Sequence, residues 1–209
     1  MTIRILIADD HAVLRDGLKA LLGAKDDLEV VAEASNGQEA ASKAIETDPD
    51  VVVMDVSMPI MNGIEGTRLI AARHPASRVI ILSMHSSTEH VYGAFDAGAS
   101  GYVLKECAGA EIEIAIRTVH AGGRFVSSRI GRLDFGRHGG GPLHRLSGRE
   151  RQVLQLVVEG HSSTEVAERV HLSPKSVATY RSRLMQKLDL HDFAALVKFA
   201  VEHGITPSA

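Results

Sequence analysis

The sequence has 209 residues, 44% of them hydrophobic, and a formal net charge of −3 at pH 7. This length allows one large core or two small ones. No stretch approaches the ~20 apolar residues of a membrane-spanning helix, and acidic residues end the first apolar run before it reaches the length of a signal-peptide core. The single cysteine, Cys107, excludes an internal disulfide framework and fits a reducing compartment. We therefore expect a cytoplasmic protein that does not contact membranes.

The first 120 residues alternate short apolar runs with amphipathic stretches. Brief apolar runs are typical of parallel strands covered on both faces, and they predict strands at 3–8, 28–32, 51–54, 79–82 and 102–104. The amphipathic stretches predict helices at 12–22, 37–47, 63–73, 88–97 and 110–120. This strict alternation predicts the α/β class, with a doubly wound five-stranded parallel sheet and right-handed crossovers.

Glycine and proline interrupt this pattern after residue 122. The run 139–142 is Gly-Gly-Gly-Pro, and we predict a flexible linker over residues 123–142, between domains at 1–122 and 143–209. Serine and glutamate stand at capping-box spacing after Ser147 and Ser162, and Ser173 precedes Pro174 at a further helix start. We predict that the second domain is all-α, with four helices at 147–159, 163–170, 174–188 and 192–203.

Polar side chains stand at the carboxyl ends of four predicted strands: Asp9 and Asp10, Asp55, Ser83, and Lys105. In a parallel sheet these ends meet at one edge, where ligands bind. Three carboxylates at one edge repel each other unless a hard cation such as Mg²⁺ neutralises them, and a carboxylate beside Mg²⁺ can form an aspartyl phosphate. Asp55 is the candidate phosphoacceptor, Asp9 and Asp10 are candidate metal ligands, and Lys105 and Ser83 would contact the phosphoryl oxygens. The alternative is that each residue only caps a strand or starts a loop.

Metal chemistry elsewhere in the chain is not indicated. The eleven histidines are scattered, and no Cys/His cluster has the spacing of a zinc site.

The predicted helix at 174–188 has two distinct faces. At about 100° per residue, Val177, Leu184 and Leu188 share one face, and the opposite face carries small, polar and basic residues: Lys175, Thr179, Ser182 and Gln186. Such a helix, preceded by a short helix and a brief turn, suits the major groove of DNA. Two alternatives remain, namely an ordinary solvated face and, for Arg181, packing of its aliphatic stem on the domain.

The first domain resembles a known family, the receiver domain of bacterial two-component response regulators, over residues 1–122. The segments that carry the resemblance are IADDHAVLRDGL, VVVMDVSMPIMNGIEG, VIILSMHS and GASGYVLK. The resemblance implies a flavodoxin-like fold and phosphorylation of Asp55 by a sensor histidine kinase. It implies Mg²⁺ binding by Asp10, Asp55 and the backbone carbonyl of Ser57, with Asp9 helping through water. It assigns Ser83 as the switch hydroxyl, Tyr102 as the aromatic switch residue and Lys105 as the phosphate contact. Glu106 departs from the family pattern, which often has a cis proline there.

The second domain resembles the LuxR-type helix-turn-helix of the NarL/FixJ class over residues 143–205. The resemblance lies in the segment LSGRERQVLQLVVEGHSSTEVAERVHLSPKSVATYRSRLMQKL. The predicted DNA contacts on its recognition helix are Lys175, Ser176, Thr179, Arg181, Ser182, Arg183 and Lys187. Receiver and helix-turn-helix together imply a transcription factor that dimerises on promoter DNA when Asp55 is phosphorylated, rather than a turnover enzyme.

Two other functions are compatible with the same motifs. A Mg²⁺-dependent phosphatase or phosphotransferase would use the same aspartate, but it would need a second acid just after Asp55, where the chain has Val56 and Ser57. A phosphorylation-dependent module could instead bind protein through its helical domain, and salt-dependent binding to duplex DNA would count against that reading.

Overall fold

The computed structural model describes residues 2–131, 142–203 and 205. The chain divides into two compact units, Met1–His138 and Gly139–Ala209. Among the described residues, no helix has the length and apolar character needed to cross a bilayer.

The first unit is built on a parallel sheet. Its strands are β1 (Ile3–Ala8), β2 (Leu28–Ala34), β3 (Val51–Asp55), β4 (Arg78–Ser83), β5 (Gly101–Leu104) and β6 (Phe125–Val126), in the order β2-β1-β3-β4-β5-β6. The strand order reverses between β1 and β3, so the ends of these two strands flank the crevice where doubly wound sheets bind ligands. The prediction of a doubly wound parallel sheet is confirmed.

Five helices cover the two faces of the sheet. They are α1 (Ala12–Gly23), α2 (Gly37–Thr47), α3 (Gly63–Arg73), α4 (Thr88–Asp96) and α5 (Ala108–His120). One buried cluster joins the sheet to α2, α3 and α4, and a second cluster on the opposite face joins it to α1 and α5. Alternate residues of β1 enter different clusters, with Leu6 in the first and Ile5 and Ile7 in the second. Burial on both faces is why the central strand β3 is apolar up to Asp55, whereas the edge strand β2 is only partly buried and contains Glu29 and Glu33.

The predicted number of five strands is wrong, because β6 adds a sixth. Phe125 and Val126 pair in parallel with Gly101 and Tyr102 of β5. A strand of two residues has no detectable alternation of polar and apolar side chains, so the sequence pattern carried no sign of it.

The predicted linker starts too early in the chain. The Leu104 N–H donates to Ser127 Oγ at 3.0 Å, and the Ser127 N–H donates to the Tyr102 carbonyl at 2.9 Å. Ile130 is buried and belongs to the same core cluster as α2, α3 and α4. Residues 125–130 therefore belong to the first unit, while positions 132–141 of the predicted linker lie outside the described residues.

The second unit is helical, as predicted. Its helices are α6 (Gly148–Val158), α7 (Ser163–Arg169), α8 (Pro174–Leu188) and α9 (Phe193–Glu202), preceded by a 3₁₀ turn at Pro142–Arg145. Both capping boxes form, at Ser147 with Glu150 and at Ser162 with Glu165. The apolar face of α8 is buried against the rest of this unit through Val177 and Leu184, which leaves its opposite face in solvent.

Candidate phosphorylation site and DNA interface

Four potential metal ligands converge at the carboxyl edge of the sheet. Asp9, Asp10 and His11 follow β1, and Asp55 ends β3; one ligand atom from each lies within 4.8 Å of the others. Asp9 and Asp55 are buried, whereas Asp10 and His11 are exposed. The site is therefore half-open, with two carboxylates shielded from water and two ligands at its mouth.

Lys105 reaches this site from the 3₁₀ turn that follows β5. Its Nζ lies 3.0 Å from Asp9 Oδ2 and 3.0 Å from Asp55 Oδ2. Burial acts to lower the pKa of Lys105, but the two carboxylates outweigh it and the pKa is raised. The ammonium is therefore held in its charged form between the two buried aspartates.

Burial is also the main influence on the pKa of Asp55. Burial and the negative charge of Asp9 raise this pKa, whereas Lys105 and a hydrogen bond from the Ser57 N–H lower it; the result is a pKa of about 6. One ammonium thus does not balance the three carboxylates at this edge. Oxygen donors with an excess of negative charge are what Mg²⁺ prefers, so the donor set fits that ion.

The β3–α3 loop depends on a glycine directly beside the phosphoacceptor candidate. The Gly63 N–H donates to the Val56 carbonyl at 2.9 Å, and a Cβ at Gly63 would lie far inside van der Waals contact with the carbonyl oxygen of Asp55. Ile60 in the same loop has a φ of 69°, an uncommon conformation for a β-branched residue. Ser57, the predicted source of a ligand carbonyl, is half-buried in this loop.

Two residues that the sequence analysis did not single out hold Asp9 in place. The His11 N–H donates to Asp9 Oδ1 at 2.8 Å, and Arg15 Nη1 donates to the Asp9 carbonyl at 2.6 Å. The His11 ring lies against two carboxylates, with Nδ1 3.0 Å from Asp9 Oδ1 and 2.9 Å from Asp10 Oδ1. The adjacency of His11 to the paired aspartates was visible in the sequence, but a lone histidine on a helix start carries no spacing signal.

The predicted switch residues meet at the β4–α4 loop. The His85 N–H donates to Ser83 Oγ at 3.0 Å, and the Tyr102 hydroxyl donates to the His85 carbonyl at 2.8 Å. Tyr102 is fully buried, and burial raises its pKa to about 12. The His85 ring stacks on His90 of α4 with centroids 4.4 Å apart. His85 therefore connects Ser83, Tyr102 and α4, a role that no sequence pattern indicated.

Six of the seven predicted DNA contacts have exposed side chains, and some of these six also have partners within the helical unit. The six are Lys175, Thr179, Arg181, Ser182, Arg183 and Lys187. Ser176 is half-buried, and its hydroxyl lies 2.9 Å from that of Ser173, the N-cap of α8. The guanidinium carbon of Arg181 lies 5.5 Å from the centroid of the Phe193 ring, a contact of the charged group and not the packing of the aliphatic stem named above as an alternative.

Lys187 takes part in an ion pair within the helical unit. Its Nζ lies 2.7 Å from Oε2 of Glu150, a carboxylate that is only 3% exposed. The same oxygen accepts from the Ser147 N–H at 2.7 Å. Lys187 is therefore paired with the start of α6, although 42% of its side chain remains exposed.

The order of the strands, the acidic edge of the sheet and the helical second unit are the features of a receiver domain followed by a helix-turn-helix. The chain belongs to the bacterial response regulators. Residues 5–117 match the family model for the response regulator receiver domain, and residues 144–200 match the model for bacterial regulatory proteins of the luxR family. The predicted class is confirmed, and this is a family of transcription factors rather than turnover enzymes.

Relatives align along nearly the whole chain. It is 37% identical over 203 residues to the transcriptional regulatory protein MctR of Rhizobium johnstonii, covering 97% of this chain and 95% of MctR. It is 35% identical over 210 residues to the oxygen regulatory protein NreC of Staphylococcus haemolyticus, and the alignment covers 95% of this chain and 97% of NreC. A similar solved structure is RcsB from Salmonella enterica serovar Typhimurium bound to promoter rprA in the presence of phosphomimetic BeF3−, with 25% identity, a TM-score of 0.66, and 95% and 98% coverage.

Proposed function

We propose that Asp55 accepts a phosphoryl group from a sensor histidine kinase and that this modification controls promoter binding by α8. The observation that carries the proposal is Lys105 Nζ, 3.0 Å from both Asp9 and Asp55 in a buried acidic site. A cation held at this point lies where the negative charge of a transferred phosphoryl group would be.

Asp55 is the better nucleophile of the two buried aspartates. Both oxygens of Asp9 are engaged, Oδ1 by the His11 N–H and Oδ2 by Lys105. Asp55 ends the central strand β3, between the ends of β1 and β4, and it lies within reach of residues from both sides. In the transfer, an Asp55 oxygen forms a bond to phosphorus while the bond from phosphorus to the donor nitrogen of the kinase breaks.

The remaining residues of the site bind and orient. Asp10, Asp55 and the Ser57 carbonyl would hold Mg²⁺, with Asp9 assisting. When bound, this ion supplies positive charge that offsets the carboxylates and the phosphoryl oxygens. Lys105 pairs with one phosphoryl oxygen, and the Ser83 hydroxyl donates to another.

The switch begins at Ser83. Its Oγ now accepts from the His85 N–H, and the His85 carbonyl accepts from Tyr102. Movement of the Ser83 hydroxyl towards a phosphoryl group on Asp55 therefore alters the loop that holds Tyr102 and stacks on α4. The surface formed by α4, β5 and α5 changes as a result, and we propose that this change controls dimerisation.

The exposed face of α8 supports DNA as the partner. Lys175 and Arg183 supply charge for phosphates, and Ser182 offers a hydroxyl group to base edges. The Thr179 O–H donates to the Lys175 carbonyl at 3.0 Å, so Thr179 offers its oxygen as an acceptor. No acidic residue lies within α8. The related RcsB was solved bound to a promoter, which supports the same kind of partner here.

The experiment follows phosphoryl uptake and DNA retention in the full chain. The protein is incubated with acetyl phosphate and Mg²⁺, its mass is measured, and binding to duplex DNA is measured at several salt concentrations. Asp55→Asn is compared with Asp16→Asn, an identical change at an exposed carboxylate on α1. We expect one phosphoryl group on the wild type and on Asp16→Asn and none on Asp55→Asn, with DNA affinity changing only where the group is attached.

Two outcomes would overturn this proposal. An adduct that persists in Asp55→Asn would contradict the site. Equal DNA retention with and without the phosphoryl group, or retention that does not weaken as salt rises, would contradict control of a DNA interface.

A further inference from the structure

We propose that the imidazole of His11 is a ligand of the metal site at the carboxyl edge of the sheet, and that it raises the affinity of this site for Co²⁺ and Ni²⁺ relative to Mg²⁺. The inference rests on the proposed Mg²⁺ site, because it uses the same carboxylates. It adds a nitrogen donor to a site that otherwise offers only oxygens.

The distances around the imidazole match those of a coordination shell. Two donors bound at right angles, each about 2.1 Å from one ion, lie about 3 Å apart. His11 Nδ1 lies 3.0 Å from Asp9 Oδ1 and 2.9 Å from Asp10 Oδ1. His11 Nδ1 is thus at the spacing of adjacent ligands from an oxygen of each of the two preceding residues, and all of these donor atoms lie within 4.8 Å of one another.

The arrangement is held in place before any ion binds. Asp9 is fully buried, and both of its carboxylate oxygens accept hydrogen bonds. Lys105 Nζ donates to Oδ2 at 3.0 Å, and the backbone N–H of His11 donates to Oδ1 at 2.8 Å. Asp55 brings a fourth donor to the same cluster. The ring itself is at the open mouth of the site, with 67% of its side chain exposed, so ions reach it from solvent.

The donor set decides which ions gain from His11. Mg²⁺ is a hard ion that prefers oxygen and gains little from imidazole, whereas Co²⁺, Ni²⁺ and Zn²⁺ bind imidazole well and rank above Mn²⁺ in affinity. A metal ion binds the neutral imidazole through the lone pair of Nδ1, so a proton on that nitrogen would be released to solvent on binding. A transition-metal ion in this position occupies carboxylate oxygens that Mg²⁺ needs, so the two ions exclude one another.

The test uses Co²⁺ and the full-length protein, with proton NMR as a readout that does not depend on phosphorylation. Paramagnetic Co²⁺ moves the ring protons of a coordinated imidazole outside the usual spectral range. His11→Asn removes the imidazole but keeps a good helix N-cap residue and a polar side chain near the aspartates. The control is His74→Asn, because His74 is also a histidine of the first unit paired with an aspartate, Asp48, at 3.0 Å.

We expect one shifted set of ring protons at one equivalent of Co²⁺ in the wild type and in His74→Asn, and none in His11→Asn. Calorimetric titrations give a second readout, the ratio of Co²⁺ affinity to Mg²⁺ affinity, which we expect to fall at least about tenfold in His11→Asn. Shifted ring protons that persist in His11→Asn, or an unchanged affinity ratio, would overturn the inference.

Wild-type protein separates this failure from that of the proposed function. If the protein takes up a phosphoryl group with Mg²⁺ but its His11 ring protons do not shift with Co²⁺, the inference about His11 is contradicted and the proposed function is not. If the His11 ring protons shift but the protein takes up no phosphoryl group, the proposed function is contradicted and the inference about His11 is not.

Discussion

Replacing Lys187 with methionine tests whether this side chain stabilises the helical unit or contacts DNA. Lys187 Nζ lies 2.7 Å from Oε2 of Glu150, which is only 3% exposed and also completes the capping box of α6. The substitution keeps an apolar stem but leaves the carboxylate without its cation. A hydrogen bond to a charged group contributes about 1.5–3 kcal/mol, and because 42% of the Lys187 side chain is exposed we expect a loss of about 1–2 kcal/mol.

The assay is native-state hydrogen exchange at the backbone amides of α6, which reports the free energy of unfolding of this unit within the full chain. The matched control is Lys198→Met, because Lys198 forms an exposed pair with Glu202 at 3.7 Å and its loss should cost less than about 0.5 kcal/mol. Replacing Glu150 with glutamine first should reduce the cost of Lys187→Met by about 1 kcal/mol, since the two side chains act as a pair.

The pair also has a defined pH dependence. Burial acts to raise the pKa of Glu150, but Lys187 and Ser147 outweigh it and the pKa is lowered from 4.5. A lowered pKa means that the contribution to stability is complete above pH 4.5 and is lost as the pH falls below it. Equal effects of Lys187→Met and Lys198→Met at neutral pH would refute the structural role, and a DNA affinity that falls without any loss of stability would restore Lys187 as a DNA contact.

Three further predictions concern the two units separately. Gly63→Ala should displace the backbone of Asp55, lower the free energy of unfolding by about 2 kcal/mol or more and abolish phosphoryl uptake, as measured by urea unfolding and mass. Glu39→Gln should flatten the acid unfolding curve between pH 4.5 and 2, because a hydrogen bond from Lys43 lowers the pKa of Glu39 to about 2 and its contribution disappears only as the pH falls through that range. Lys175→Ala should weaken DNA binding to a similar degree for all sequences and reduce the slope of affinity against salt by about 1.

Each of these has its own control or contradicting result. Gly17→Ala places a Cβ in open space on α1, so it should stabilise the protein slightly and leave phosphoryl uptake intact. An acid unfolding curve of Glu39→Gln that overlays the wild-type curve would show that the contacts of the Glu39 carboxylate with Lys43 and Ser35 do not stabilise the folded protein. A salt slope unchanged by Lys175→Ala would mean that this side chain makes no phosphate contact.

Much of the fold is encoded in local patterns of the sequence. Strands buried on both faces must be apolar throughout, and capping boxes satisfy backbone N–H groups at a helix start, so both leave short and regular signatures. The predicted helices of both units accordingly agree with the structure to within about two residues at each end. The acidic edge was predictable for a related reason, because parallel strands bring all of their carboxyl ends to one side.

The remaining features depend on contacts between residues far apart in the chain. β6 is a strand only because β5 offers it an unpaired edge, and Lys187 is an ion-pair partner only because folding buries Glu150 beside it. Asp9, one of the two carboxylates beside the His11 ring, likewise pairs with Lys105, which is 96 residues away in the chain. Sequence alone determined which segments form helices and strands and which class of protein they build, because those signals lie within one element. Tertiary structure alone decided the partners of individual charged side chains, because the energy of an ion pair depends on distance and burial that only the folded chain sets.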